Sequence, residues 1–139
     1  RHPNDCVLSC FMQNFLLNNA MANFLNIKDS AKMYDLVMKL LEIYKSRFSL
    51  DFHTIKYEDL ISNFKGSVSN LLKFLDLSWS DEVTEFHKTS KKRGIIATPS
   101  YNQVSQPLYS KSIGRWKNYK SELTDSNQYL ESWIKKYDY

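Results

Sequence analysis

Glycine is scarce in this 139-residue chain, which holds only Gly66, Gly94 and Gly114. A loop that cradles a polyphosphate needs backbone close to the ligand at several neighbouring glycines, so no such loop lies within the chain. Cysteine is scarcer still. Cys6 and Cys10 stand four apart in a stretch that reads as helix, and no second pair or nearby histidine completes a metal site. They are read as small hydrophobes in a reducing compartment. His2, His53 and His87 are too scattered for HExxH or a related spacing, so no structural metal is expected. No apolar run approaches the roughly 20 residues that span a bilayer, and no charged segment followed by an apolar one precedes the first helix. A GxSxG context for a nucleophilic serine is missing as well. The chain opens on Arg1 without an initiator methionine, as expected of the C-terminal part of a longer protein.

What is present suffices for one core. At 42% hydrophobic and 14% aromatic, a chain of this length has the material of a single domain, and disorder is excluded. The net charge is +4, and several Lys and Arg residues collect in "KKRG" (91–94) and "SKSIGRWKNYK" (110–120). A balance this modest favours an anionic small ligand over a highly charged polymer, whose binding by counterion release needs denser basic patches.

Periodicity predicts a helix from about Asn4, with apolar Val7, Leu8, Phe11, Met12, Phe15 and Leu16 on one face, Pro3 in its first turn and Asp5 at the positive end of its dipole. A second helix follows "NIKDS", capped by Asp29 or Ser30, with a stripe of Met33, Leu36, Val37, Leu40, Leu41 and Tyr44, ending near Phe48. "DFHTIKYEDL" reads as a short strand through Phe52, Thr54, Ile55 and Tyr57. A third helix carries Val68, Leu71, Leu72 and Leu75, and a fourth runs from a Ser80 cap through His87. A long loop, functional or disordered, is expected over 91–117, and a last helix from about Ser126 to Lys136 buries Tyr129, Leu130, Trp133 and Ile134. Helix and strand alternate, which points to α/β, yet one strand makes no sheet. Either the protein is mostly helical or the companion strands lie upstream of Arg1, and a chain starting on a strand-end residue favours the second view.

"RHPNDCVLS" places an arginine, a helix start and a hydroxyl two turns in. A phosphate above that helix N-terminus would meet backbone N–H donors and charge-assisted bonds from Arg1 and Ser9. By spacing alone the same residues also describe a surface arginine and a helix serine. The segment resembles R-x-P-x-D-x-x-x-S of the sulfotransferases that use 3′-phosphoadenosine 5′-phosphosulfate. "IKYEDLI" resembles their YED motif, followed as there by a helix ending "LLKFLDLSW". "SYNQVSQPLYSKSIGRWKNYKSEL" resembles the closing segment of the tyrosylprotein sulfotransferases and, more closely, of the bacterial sulfotransferase domains attached to tetratricopeptide repeats. The three motifs occur in family order between Arg1 and about Leu123.

The resemblance implies a P-loop-like α/β sulfotransferase fold, with residues 1–139 as the helix-rich C-terminal part of one domain and few strands of its own. It assigns Arg1 and Ser9 to the 3′-phosphate and Tyr57 to the adenine, where a ring with a polar handle fits. Ser100 matches a serine at the cofactor or its transferring group, the one residue placed at the catalytic centre. Arg115 matches a lysine at the cofactor, keeping charge but changing geometry. Lys111 is a further candidate for the same phosphates, and Trp116 is expected to pack. Glu58 and Asp59 are read as structural, because a carboxylate beside an anionic cofactor repels it. The implied reaction is sulfuryl transfer to a hydroxyl acceptor on a tyrosine, a sugar or a small molecule, without a metal. An upstream tetratricopeptide-repeat region is an expected neighbour. Membrane and nucleic acid are not expected partners. The implied compartment is the cytoplasm, or the Golgi lumen for a eukaryotic protein-tyrosine type. The family's 5′-phosphosulfate loop and its usual base are absent, so the fragment alone is expected to be inactive. Two alternatives stand beside this: a basic helical nucleic-acid-binding module using "GRWKNYKSEL", and a sulfotransferase-like pseudoenzyme.

Overall fold

The computed structural model describes residues 1–88 and 106–139. Two compact units arise, one from Arg1–Phe52 with Lys111–Tyr139, the other from His53–Ser110. The described α-helices are α1 (Pro3–Phe11), α2 (Ile27–Arg47), α3 (Tyr57–Ser62), α4 (Phe64–Phe74) and α5 (Asn127–Lys136). No helix among the described residues is long and apolar enough to cross a membrane.

The first unit is built on α1, α2 and α5, which pack against one another. Its core is Val7 and Leu8 of α1, Ala31 of α2, and Leu123, Leu130 and Trp133 from the C-terminal segment. Ala31 is fully buried, and its methyl group lets neighbouring helices approach α2 closely. Helix α1 begins where Pro3 occupies an early position that needs no N–H, and His2 caps it by accepting the Asn4 N–H on Nδ1 at 3.1 Å. It ends sooner than the apolar pattern predicts. The expected stripe ran on to Phe15 and Leu16, but the helix stops at Phe11 and Leu16 is almost wholly exposed. Helix α2 is capped by Asn26, not by Asp29 or Ser30: the Asn26 side-chain Oδ1 accepts the N–H groups of Lys28 at 2.8 Å and Asp29 at 3.3 Å. Ser30 instead donates back to the Asn26 carbonyl at 2.8 Å inside the first turn.

The stripe expected on α2 is present, but most of it faces outward. Leu36, Val37, Leu40 and Tyr44 are exposed, while Ser30 and Ala31 are buried. Polar anchors explain the choice of face. Asp35 accepts the Trp133 indole N–H at 2.9 Å, and Glu42 pairs with Lys136, so α5 is bonded to the side of α2 away from its leucines. α5 itself follows the expectation within a residue, with Leu130 and Trp133 buried and Tyr129 and Ile134 packed beside the core.

The second unit corrects the strand expected over Phe52–Tyr57. Residues 51–56 have no assigned secondary structure, although Lys56 keeps an extended backbone, and Tyr57 opens α3. A strand is held by the ladder of a neighbour. No described residue supplies one, and Tyr57-Glu58-Asp59 puts two acidic residues in a helix's first turn, where its dipole favours them. Asn63 ends α3 and caps α4 by accepting the Gly66 N–H at 3.1 Å. α4 buries Val68 and closes with Asp76 in the left-handed region, φ 55°, as the Leu77 N–H reaches the Leu72 carbonyl at 2.8 Å. The helix expected from Ser80 through His87 divides into a 3₁₀ turn over Asp81–Val83, with Ser80 as its cap as predicted, a turn at 84–85 and helical residues at 86–88.

Candidate functional site

The N-terminus of α1 is tied to the chain about a hundred residues later. The Arg1 guanidinium donates to the Ser112 carbonyl at 2.7 Å. Asp5, fully buried, accepts the Gly114 N–H on one carboxylate oxygen at 2.7 Å and the Trp116 N–H on the other at 2.8 Å. Gly114 has φ 69°, a conformation that glycine adopts without steric cost and other residues rarely do. The chain then enters the 3₁₀ helix Arg115–Tyr119. Around this junction His2 stacks on the Trp116 indole with centroids 4.7 Å apart and meets Tyr139 edge-on at 5.3 Å, while the Lys120 ammonium lies over the indole.

Several sequence-predicted residues lie on the two segments joined here. Lys111 precedes the residue bonded to Arg1, and Arg115 lies between the two N–H groups held by Asp5; both are exposed. Ser9 sits two turns along α1 and is half-buried. Trp116 packs, as expected. The supply of helix donors is smaller than assumed, because His2 has taken the Asn4 N–H and Pro3 has none to give. Burial pushes the Cys6 and Cys10 thiols up, with the Arg1 charge pulling the other way, so both stay protonated at neutral pH and serve as packing groups.

Tyr57 belongs to the second unit, as the first residue of α3 and not at a strand end; its hydroxyl donates to the Tyr109 carbonyl at 2.8 Å. Ser100 and the "KKRG" segment lie outside the described residues. A cavity of about 330 Å³ in the second unit, lined in part by Leu72, Lys73, Leu77 and Trp79, includes none of the predicted residues. No described group of His, Cys, Asp and Glu is placed to hold a metal ion.

Sequence reasoning missed the role of Asp5. It was read as a partner of the helix dipole, a role that leaves a carboxylate at the surface. The signal available was Gly114, an isolated glycine in a basic segment, which marks a turn needing a positive φ and so a backbone with N–H groups to place.

The family model of the sulfotransferases matches residues 1–81, which covers α1 through the start of the Asp81 turn. A protein of Aquifex aeolicus (strain VF5), described as uncharacterized, is 26% identical over 137 residues, covering 98% of this chain. The chain spans about 18% of that relative's length. No solved structure matches the chain.

Proposed function

We propose that this chain, which belongs to the sulfotransferase family, supplies the 3′-phosphate side of a site for 3′-phosphoadenosine 5′-phosphosulfate in a longer enzyme that moves a sulfuryl group to a hydroxyl acceptor. One observation carries the reading: the Arg1–Ser112 and Asp5–Gly114/Trp116 bonds hold a basic loop against the start of α1. A phosphate dianion asks for such a set. A guanidinium presents its N–H donors as a fork, so a bond to a carbonyl and bonds to phosphate oxygens are compatible. Lys111 and Arg115 are exposed cations on the loop that Arg1 bonds, and the Ser9 hydroxyl is a neutral donor two turns along α1.

The cofactor would bring the activated sulfuryl group; Arg1, Ser9, Lys111 and Arg115 would bind and orient its nucleotide end. Charge stabilised on the leaving 3′-phosphoadenosine 5′-phosphate is charge that does not oppose transfer. The roles of Tyr57 at the adenine and Ser100 at the transferring group rest on the family resemblance. So do the P-loop-like sheet, the acceptor (tyrosine, sugar or small molecule), a neighbouring tetratricopeptide-repeat region and the tyrosylprotein-like subfamily. With no glycine-rich loop in its sequence, the 139-residue chain is expected to bind nucleotide without transferring sulfuryl groups.

Calorimetric titration tests the reading. Adenosine 3′,5′-bisphosphate is expected to bind at least about tenfold tighter than 5′-AMP, the scale of one charge-assisted bond, and Arg1→Met is expected to remove the preference. Equal affinities would sink it. An oligonucleotide that outcompetes the bisphosphate, with affinity falling steeply in salt, would favour the nucleic-acid module instead.

A further inference from the structure

We infer that Asp5 is the positioning residue of this anion site: it touches no ligand and acts by keeping the 112–116 loop, which carries or adjoins the cations at 111 and 115, on the first turn of α1 where Arg1 also bonds it. The inference rests on the cofactor reading above and adds to it a residue that carries no positive charge.

Burying a carboxylate next to an anion site is unfavourable on two counts, desolvation and repulsion of the ligand. Asp5 is nevertheless fully buried. Both of its oxygens are engaged, at 2.7 and 2.8 Å, by the N–H groups on either side of Arg115. Those bonds spread its charge over the loop backbone and hold that backbone in the turn that Gly114 permits at φ 69°. No described side chain other than Asp5 accepts a hydrogen bond from either N–H. The Arg1–Ser112 bond lies on the same loop, so Asp5 and Arg1 clamp it from neighbouring positions of α1 and its leading residue. An asparagine at position 5 has one acceptor oxygen and sets an N–H₂ donor against the other N–H, so it cannot hold both.

A purely structural role for Asp5 would lower stability and leave ligand discrimination alone. A positioning role changes discrimination. The measurement is the ratio of affinities for adenosine 3′,5′-bisphosphate and 5′-AMP in the full chain, its Asp5→Asn variant and its Gly114→Ala variant, with circular dichroism to check folding. The ratio is expected to fall from about tenfold or more to near unity in both variants, while 5′-AMP affinity holds. A folded Asp5→Asn protein that keeps the ratio, or loses both ligands equally, overturns the inference. Should Asp5→Asn fail to fold, Gly114→Ala decides, because it strains the loop and leaves the carboxylate in place; an unchanged ratio there is fatal to the idea. A parent chain without any 3′-phosphate preference removes the cofactor reading and this inference together, whereas a parent with the preference and variants that share it removes the positioning role alone.

Discussion

Asp5 and Ser126 are polar side chains buried in the same unit, and they differ in what they bond. Asp5 accepts from two backbone donors, one on each carboxylate oxygen. The Ser126 hydroxyl is fully buried and finds no hydrogen-bond partner among the described residues. A hydroxyl in that position costs desolvation and returns nothing. Ser126→Ala is therefore expected to stabilise the protein by about 1 kcal/mol, read as a rise in the urea midpoint at constant slope; a loss of stability would show that the hydroxyl is bonded in solution. The proposed roles of Arg1 and Ser9 rest on the family pattern, since by spacing alone they also describe a surface arginine and a helix serine. The role of Asp5 was not legible in the sequence, because its partners lie 109 and 111 residues away. No local pattern records a contact at that separation.

At the scale of elements, α2 and α5 are joined by ions as well as by apolar contact. The hydrogen bond from Lys136 holds the Glu42 carboxyl below its ordinary value, with the Lys136 and Lys45 charges acting in the same direction against desolvation. A carboxylate whose folded value is depressed contributes stability that is complete above its unfolded value, 4.5, and is lost as pH falls through the folded one. Stability is accordingly expected to decline below about pH 4.5, and Lys136→Met is expected to flatten that part of the profile. A Lys136→Met protein whose acid limb matches the parent's would assign the loss to other carboxylates. Helix existence was legible from period and capping chemistry for α1, α2, α4 and α5. Boundaries were not. Asn26 displaced Asp29 and Ser30 as the cap because its side-chain oxygen reaches two N–H groups at once, and the strand expected at Phe52 had no neighbour to pair with among the described residues.

On the scale of the molecule, the first unit is discontinuous, with Val7, Ala31 and Leu130 meeting in one cluster from both ends of the chain. Leu130→Ala is expected to cost about 2–5 kcal/mol, the range for a buried leucine replaced by alanine. Leu36→Lys, on the exposed face of α2, is expected to change stability by no more than about 0.5 kcal/mol. Chemical denaturation of the two variants checks the pair. Equal losses would mean that the leucine face of α2 is core after all.

Composition, period and motif determined that this chain folds around apolar helices, that it lacks a glycine-rich phosphate loop, and that its basic and hydroxyl residues follow a sulfotransferase order. Each of those properties is local, resting on neighbours within a few turns. Tertiary structure alone decided which face of α2 turns inward, that Asp5 holds the Gly114 turn, and that Arg1 bonds the loop on which Lys111 and Arg115 lie. Those outcomes depend on hydrogen bonds and packing between residues far apart in sequence. Their geometry is set only when loop closure has brought α1 and the C-terminal segment together.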